Sequence, residues 1–274
     1  MIRLALRVQR EQAELVLAEL LELAPGGVEE RDDGDVVEYA VYGAPGELPA
    51  LPDLRAAAGG ALVEVSTTEV ADDWAQRWRA FHEPVEIGGR LWVRPPWSEP
   101  RPGLVDLVVD PGQAFGTGAH PTTRLCLELL LDLEPVGPLT DLGCGSGVLS
   151  IAAAKLGWKP VLGVDHEAES VAATLDNARA NGVEVDARRH DLLHDGAGPG
   201  APTVVANLLR PLLLRVAADG FAGPAPHTLV ASGLLAHEGD EVAAAFAEHG
   251  LRETRRVAGG EWIALALQRG AGAE

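Results

Sequence analysis

Apolar and polar residues alternate along residues 2–8 (IRLALRV), which predicts a half-buried strand. The next stretch, Glu11 to Leu23, carries Leu15, Leu20 and Leu23 at three-to-five-residue spacing and meets Pro25-Gly26-Gly27, so it predicts a helix with a defined end. Residues 28–31 and 36–41 flank Asp32-Asp33-Gly34-Asp35, a hairpin signal, and a helix around 51–58 followed by a strand at 61–66 completes the order βαββαβ. That order is the ferredoxin-like split βαβ pattern, and residues 1–68 are expected to form a small α+β domain of a size that folds alone.

Asp72 to Phe81 places Trp74, Trp78 and Phe81 on one helical face behind an acidic N-cap, predicting a short helix within a linking segment, residues 69–97. Residues 91–93 and 104–109 read as strands separated by proline turns, and 122–133 as a helix with a leucine stripe. From Leu139 the rhythm becomes strand, turn, helix. Strands are expected at 139–142, 161–164, 203–206 and 228–232, with helices at 147–155, 167–181, 209–218 and 238–248. Such alternation predicts an α/β domain over residues 98–274, a mostly parallel sheet with helices on both faces.

With 274 residues, 47% hydrophobic and 23% charged, the chain has the composition of a folded protein of two domains. Its net charge of −19 opposes extended contact with a polyphosphate backbone and favours a basic partner. The bias is strongest in residues 1–70, where five Arg face fourteen Asp or Glu, so this module is a candidate docking surface for a basic protein. Two cysteines, Cys126 and Cys144, supply neither a disulfide framework nor a paired metal knuckle. Charged residues interrupt the N-terminal apolar positions, and no window approaches a membrane span, so a cytoplasmic protein is expected.

The candidate chemistry starts at Asp141-Leu142-Gly143-Cys144-Gly145-Ser146-Gly147, which follows a short strand and opens an alanine-rich helix. Gly143 and Gly145 permit a tight turn and the close approach of a ligand to the backbone. The glycines run G-x-G-x-G; Val148 stands where the dinucleotide fingerprint needs its third glycine, and no phosphate-loop Lys follows. Asp165, at the end of the next strand, falls where a carboxylate accepts both ribose hydroxyls of an adenosine and repels a 2′-phosphate. Together these features point to an S-adenosylmethionine site ahead of a dinucleotide oxidoreductase or a bare structural turn.

The run DLGCGSG followed by GVD resembles the motifs of the seven-stranded, Rossmann-like class I methyltransferases. A second signature, DPGQAFGTGAHPTT at 110–123, resembles the bacterial methyltransferases of large-subunit ribosomal protein L11. DDWAQRWRAFHEPVEIGGRLWVRPPW, VVANLLRPLL, SGLL and GEWIAL are similar to the same family, so the resemblance covers nearly all of residues 72–267. It implies transfer of methyl groups from S-adenosylmethionine to lysine side chains and an N-terminal amine of L11; a monomer is expected, and the isolated histidines and cysteines give no metal-ligand spacing.

By that resemblance Thr123, Gly143, Asp165 and Asn207 match the family's cofactor contacts, with Phe115 and Gly116 close to the ligand. The helix start after FGTGAHP, with the Thr122 and Thr123 hydroxyls, suits the carboxylate of methionine. Asn207 ends a strand at the carboxyl edge of the sheet and is the candidate catalytic residue, orienting methionine and the incoming amine. No aromatic follows it in Asn207-Leu208-Leu209-Arg210, which favours an aliphatic amine over a planar amide or base. His120 lacks a partner at metal-ligand spacing and is expected to pack or hydrogen bond; Cys144 is expected to serve through its small size. The alternatives are an RNA methyltransferase on the same fold and a non-catalytic adenosine-ligand sensor.

Overall fold

The computed structural model describes residues 2–13, 16, 20, 29–43, 61–69, 83–110, 118, 120–223 and 225–270, in two compact units, Met1–Phe81 and His82–Glu274. In the first unit the described strands are β1 (Ile2–Gln9), β2 (Glu29–Asp33), β3 (Val36–Gly43) and β4 (Leu62–Glu69), ordered β2-β3-β1-β4 with every neighbour antiparallel. β1 and β2 therefore run the same way with β3 inserted between them, and β3 and β4 do so around β1, as the split βαβ order requires.

The alternation of β1 sends Leu4, Leu6 and Val8 into a core with Val37 and Tyr39, and Ala13, Val16 and Leu20 pack against them at helical spacing. Leu6 lies opposite Tyr39, whose buried hydroxyl donates to the carbonyl of Ala13 at 3.0 Å. Leu15 and Leu23, the helix at 51–58 and the Trp74, Trp78 and Phe81 stripe lie outside the described residues.

The second unit opens with β5 (Val85–Ile87), β6 (Leu91–Arg94) and β7 (Val105–Val108); β5 and β6 are antiparallel and β6 and β7 parallel. Its main sheet contains β8 (Leu139–Leu142), β9 (Val161–Asp165), β10 (Asp186–Arg189), β12 (Thr203–Asn207), β14 (Thr228–Leu235), β15 (Leu251–Gly259) and β16 (Trp262–Arg269). Two short strands, β11 (Gly198–Pro199) and β13 (Phe221–Ala222), pair separately. The main-sheet order is β10-β9-β8-β12-β14-β16-β15, parallel from β10 to β14 and antiparallel at β16. The order reverses at β8, so the carboxyl ends of β8, β9 and β12 border a crevice where open α/β sheets take ligands.

Helices α1 (Pro121–Leu131), α2 (Val148–Leu156), α3 (Ala168–Ala180), α4 (Arg210–Asp219) and α5 (Gly239–Ala247) agree with the sequence reading to within a few residues. Sheet residues divide by parity between two cores. Val205, Ala264 and Ala266 face Leu127, Leu129 and Ile151, while Val204, Ala206, Leu265 and Leu267 face Leu213, Val216 and Phe246. Burial on both faces explains why β12 and β16 read as continuous apolar runs.

Three strands of the main sheet fall outside the sequence expectation. β10 (DARR) and β15 (RETRRVAG) are edge strands, mostly exposed, whose polar residues hide a strand pattern. β16 lies beyond the last helix in the alternating rhythm and returns antiparallel. No helix among the described residues is long and apolar enough to cross a membrane.

Tyr39→Phe removes the buried donor to Ala13 and is expected to lower the stability of the first unit by about 1–2 kcal/mol. Urea titration followed by hydrogen exchange of β1 and β3 measures it; unchanged protection would show that this bond does not hold helix to sheet.

Candidate functional site

Between β8 and α2 the chain turns on Gly143, Gly145 and Gly147, with φ of 76°, 53° and 81°, all in the left-handed region that favours glycine. The N–H groups of Gly143 and Cys144 both donate to the carbonyl of Val164, at 2.8 and 3.0 Å, so the turn is fastened to the end of β9. Asp165 extends this attachment: its Oδ2 accepts the Gly145 N–H at 3.0 Å and its Oδ1 accepts the Glu167 N–H at 3.1 Å.

Helix α3 grips the same turn from below. The Thr174 hydroxyl donates to Gly145 O at 3.0 Å, and Asn177 Nδ2 donates to Ser146 O at 2.9 Å. The other end of the Asn177 amide accepts the Asp110 N–H at 3.0 Å, and Asn181 Oδ1 accepts the Val108 N–H at 2.9 Å. One buried amide thus joins the glycine turn to the root of the 110–120 segment. Sequence reading missed Asn177, because a helical Asn carries no signal until its partners are known.

A cavity of about 530 Å³ opens beside the turn, within the range of small-molecule sites. Gly143, Gly145 and Asp165 line it together with Leu208, His190 and Asp191. Asp165 keeps its side chain only 10% exposed. His190 Nε2 is buried without a hydrogen-bond partner among the described residues. Asp191 accepts the Leu193 N–H at 2.8 Å and faces His194 Nδ1 at 2.8 Å, which holds its carboxyl below the usual carboxylate range. The 190–194 wall was also missed; an acidic residue just after a strand, as at Asp165, was the available signal.

Asn207 ends β12, and its Nδ2 donates to the hydroxyl of buried Thr123 at 3.3 Å. The structure therefore gathers Gly143, Gly145 and Asp165 on the cavity and joins Thr123 to Asn207, whose successor Leu208 forms part of the wall. Phe115 and Gly116 lie outside the described residues. Thr122 is less available than its sequence position suggests, because its hydroxyl lies 2.7 Å from His120 Nδ1. His120 caps α1 and meets the ring of Trp262 at 5.2 Å, edge to face. Cys144 is buried, and desolvation with Asp141 nearby pushes its thiol up to about 12, so it stays protonated at neutral pH and is no nucleophile.

The family model described as Ribosomal protein L11 methyltransferase (PrmA) matches residues 51–270. A protein of that name from Heliobacterium modesticaldum is 43% identical over 204 residues, 72% of this chain and 64% of the relative, so the match spans a little under two thirds of that relative's length. One from Geobacter metallireducens is 41% identical over 208 residues, covering 74% of this chain and 69% of the relative. The crystal structure of ribosomal protein L11 methylase from Lactobacillus delbrueckii subsp. bulgaricus superposes with a TM-score of 0.61 at 30% identity, over 69% of this chain and 99% of that one.

Beneath the turn, Asp141 is fully buried; its Oδ2 accepts the N–H and hydroxyl of Ser150 at 3.1 and 2.7 Å, and Oδ1 has no partner among the described residues. Burial, with Asp165 nearby, pushes its carboxyl up to about 6. A raised acid binds its proton in the folded state where the unfolded chain has released it, so stability is highest below the unfolded value and falls as pH rises toward 6. The loss is on the order of 3 kcal/mol at about 1.4 kcal/mol per pH unit. Asp141→Asn is expected to remove this slope between pH 4 and 7, as measured by urea titration against the parent; parallel curves would show that Asp141 does not titrate in that window.

Proposed function

The chain belongs to the ribosomal protein L11 methyltransferase family, and from that premise we propose that it transfers methyl groups from S-adenosylmethionine to amino groups of ribosomal protein L11. The acceptors are lysine side chains and the N-terminal amine. The observation that carries this reading is the cavity walled by Gly143, Gly145, Asp165 and Leu208, with Asn207, which donates to Thr123, directly preceding that wall residue in the chain.

The residues present fit the cofactor. A Cβ on Gly143 would come within 2.5 Å of Leu208 Cδ2, so the turn leaves its space to the cavity wall. A carboxylate has about four acceptor sites; Asp165 uses one oxygen each for Gly145 and Glu167, which leaves Oδ2 a lone pair for a ribose hydroxyl, while the second site on Oδ1 is shared with His166 Nδ1 at 3.3 Å. The unpartnered His190 Nε2 offers one hydrogen bond to a heteroaromatic ring.

When bound, S-adenosylmethionine would supply a methyl group on a sulfonium, whose sulfur would keep the carbon–sulfur electron pair as the amine nitrogen bonds to the methyl carbon. Asn207 spends its Nδ2 on Thr123, leaving its carbonyl oxygen to accept an N–H of a neutral amine and aim the nitrogen lone pair. Holding both reactants in line provides up to roughly 7–11 kcal/mol of the barrier reduction. An unperturbed lysine, with a pKa of about 10.4, is mostly protonated at neutral pH, so the pocket binds the neutral form and the product's proton leaves to water. Thr123, Gly143, Gly145, Asp165 and Asn207 form the cofactor contacts in this reading, joined by Phe115 and Gly116. Residues 1–68 serve as the acidic recognition module and 98–274 as the catalytic domain of a cytoplasmic monomer; of the segment 69–97 between them, β5 and β6 belong to the compact unit that begins at His82.

Mass spectrometry of purified L11 after incubation with S-adenosylmethionine is expected to give mass gains in steps of one methyl. Asp165→Ala is expected to weaken cofactor binding at least tenfold and to abolish those gains. Label entering total RNA while L11 stays unmodified would replace this reading with an RNA methyltransferase, and cofactor binding without either product would point to a sensor.

A further inference from the structure

SGLL at 232–235 is one of the sequence signatures that the cofactor contacts leave unexplained. Gly233 interrupts the pairing of β14 with β16: Ser232 faces Ala264 and Leu234 faces Ile263, so Gly233 is the extra residue of a β-bulge. Its φ is 85°. A Cβ on it would lie 2.4 Å from the Leu208 carbonyl oxygen, 2.7 Å from its carbon and 3.1 Å from its nitrogen. These are backbone atoms, so no side-chain rotation relieves the overlap.

The peptide that fills this space belongs to the site. Leu208 follows Asn207, which lies opposite Ser232 in the β12–β14 ladder, and the Leu208 N–H donates to Ser232 O at 3.0 Å. The Ser232 hydroxyl is buried and donates to Ile263 O at 2.9 Å, which fixes the bulge from its far side. On the opposite side the Leu208 side chain occupies the space above Gly143 and lines the cavity. Leu208 is therefore held between two glycines, with its peptide against Gly233 and its side chain against Gly143.

We propose that Gly233 is a positioning residue for methyl transfer: its missing side chain admits the Leu208 peptide, which sets the cavity wall at Leu208 and keeps the Asn207 amide on Thr123. The proposal rests on the function given above and extends it to a residue outside the cavity. It differs from a purely structural role because the displaced atoms belong to the wall and to the residue next to the amine-orienting amide.

Gly233→Ala tests it beside Gly182→Ala, a turn glycine with φ of 64° and nothing within 4 Å of its added Cβ. Both substitutions carry the backbone strain of a positive φ, so both are expected to lower Tm. Only Gly233→Ala is expected to raise the Kd for S-adenosylhomocysteine, measured calorimetrically, at least fivefold, and to lower kcat on L11 at least tenfold. Binding and turnover within twofold of the Gly182 variant would overturn the proposal. If the alanine variant does not fold, Gly233→Asn carries the same Cβ on a residue that tolerates positive φ, with Gly182→Asn as its control. Failure of Gly233→Asn alone to fold would also overturn it, by assigning the glycine to folding. Absence of methyl transfer by the parent protein would refute the substrate reading, while the affinity comparison would still decide the role of Gly233.

Discussion

The carboxylate of Asp165 holds two N–H groups at once, Gly145 of the turn after β8 and Glu167 ahead of α3, at 3.0 and 3.1 Å. Hydrogen bonds to an ionised acceptor are roughly twice as strong as neutral ones. This one side chain therefore anchors the glycine turn to β9 and sets where α3 begins. Thr174, Asn177 and Asn181 then reach the turn and β7 from successive turns of that helix. The residue expected to meet the ribose is also the one that shapes the cavity around it.

Much of this arrangement was legible in the chain. β8, β9, β12 and β14 each open an alternating unit, and the glycine turn and strand-end Asp165 carry their chemistry in residue type and spacing. Asp141, Asn177 and His190 were not legible in that way: each matters through groups far away in sequence or through burial that only the fold creates. Gly233 belongs with them. Its motif could be recognised, yet its meaning depends on the Leu208 peptide 25 positions earlier.

The unread edge strands show how a sheet's borders disguise themselves. β10 exposes Arg188 and Arg189, and β15 exposes Arg252, Arg255 and Arg256, charges that discourage edge-to-edge pairing. On β15 two of these arginines are tied back to the same unit, Arg255 to Asp132 and Arg256 to Asp240 and Glu253. Such exposed pairs contribute little stability individually; their effect is to keep the ends of the sheet apart from other chains.

As the methyltransferase proposed, the chain would hold the cofactor in the cavity on the glycine turn with its reactive end toward Asn207. A crystal structure of the protein with S-adenosylhomocysteine tests it most directly. The expected density has the ribose hydroxyls within hydrogen-bond distance of Asp165 and the homocysteine portion extending to Thr123 and Asn207. Density seated instead in the separate cavity of about 490 Å³ between α1 and the β15–β16 turn would contradict it.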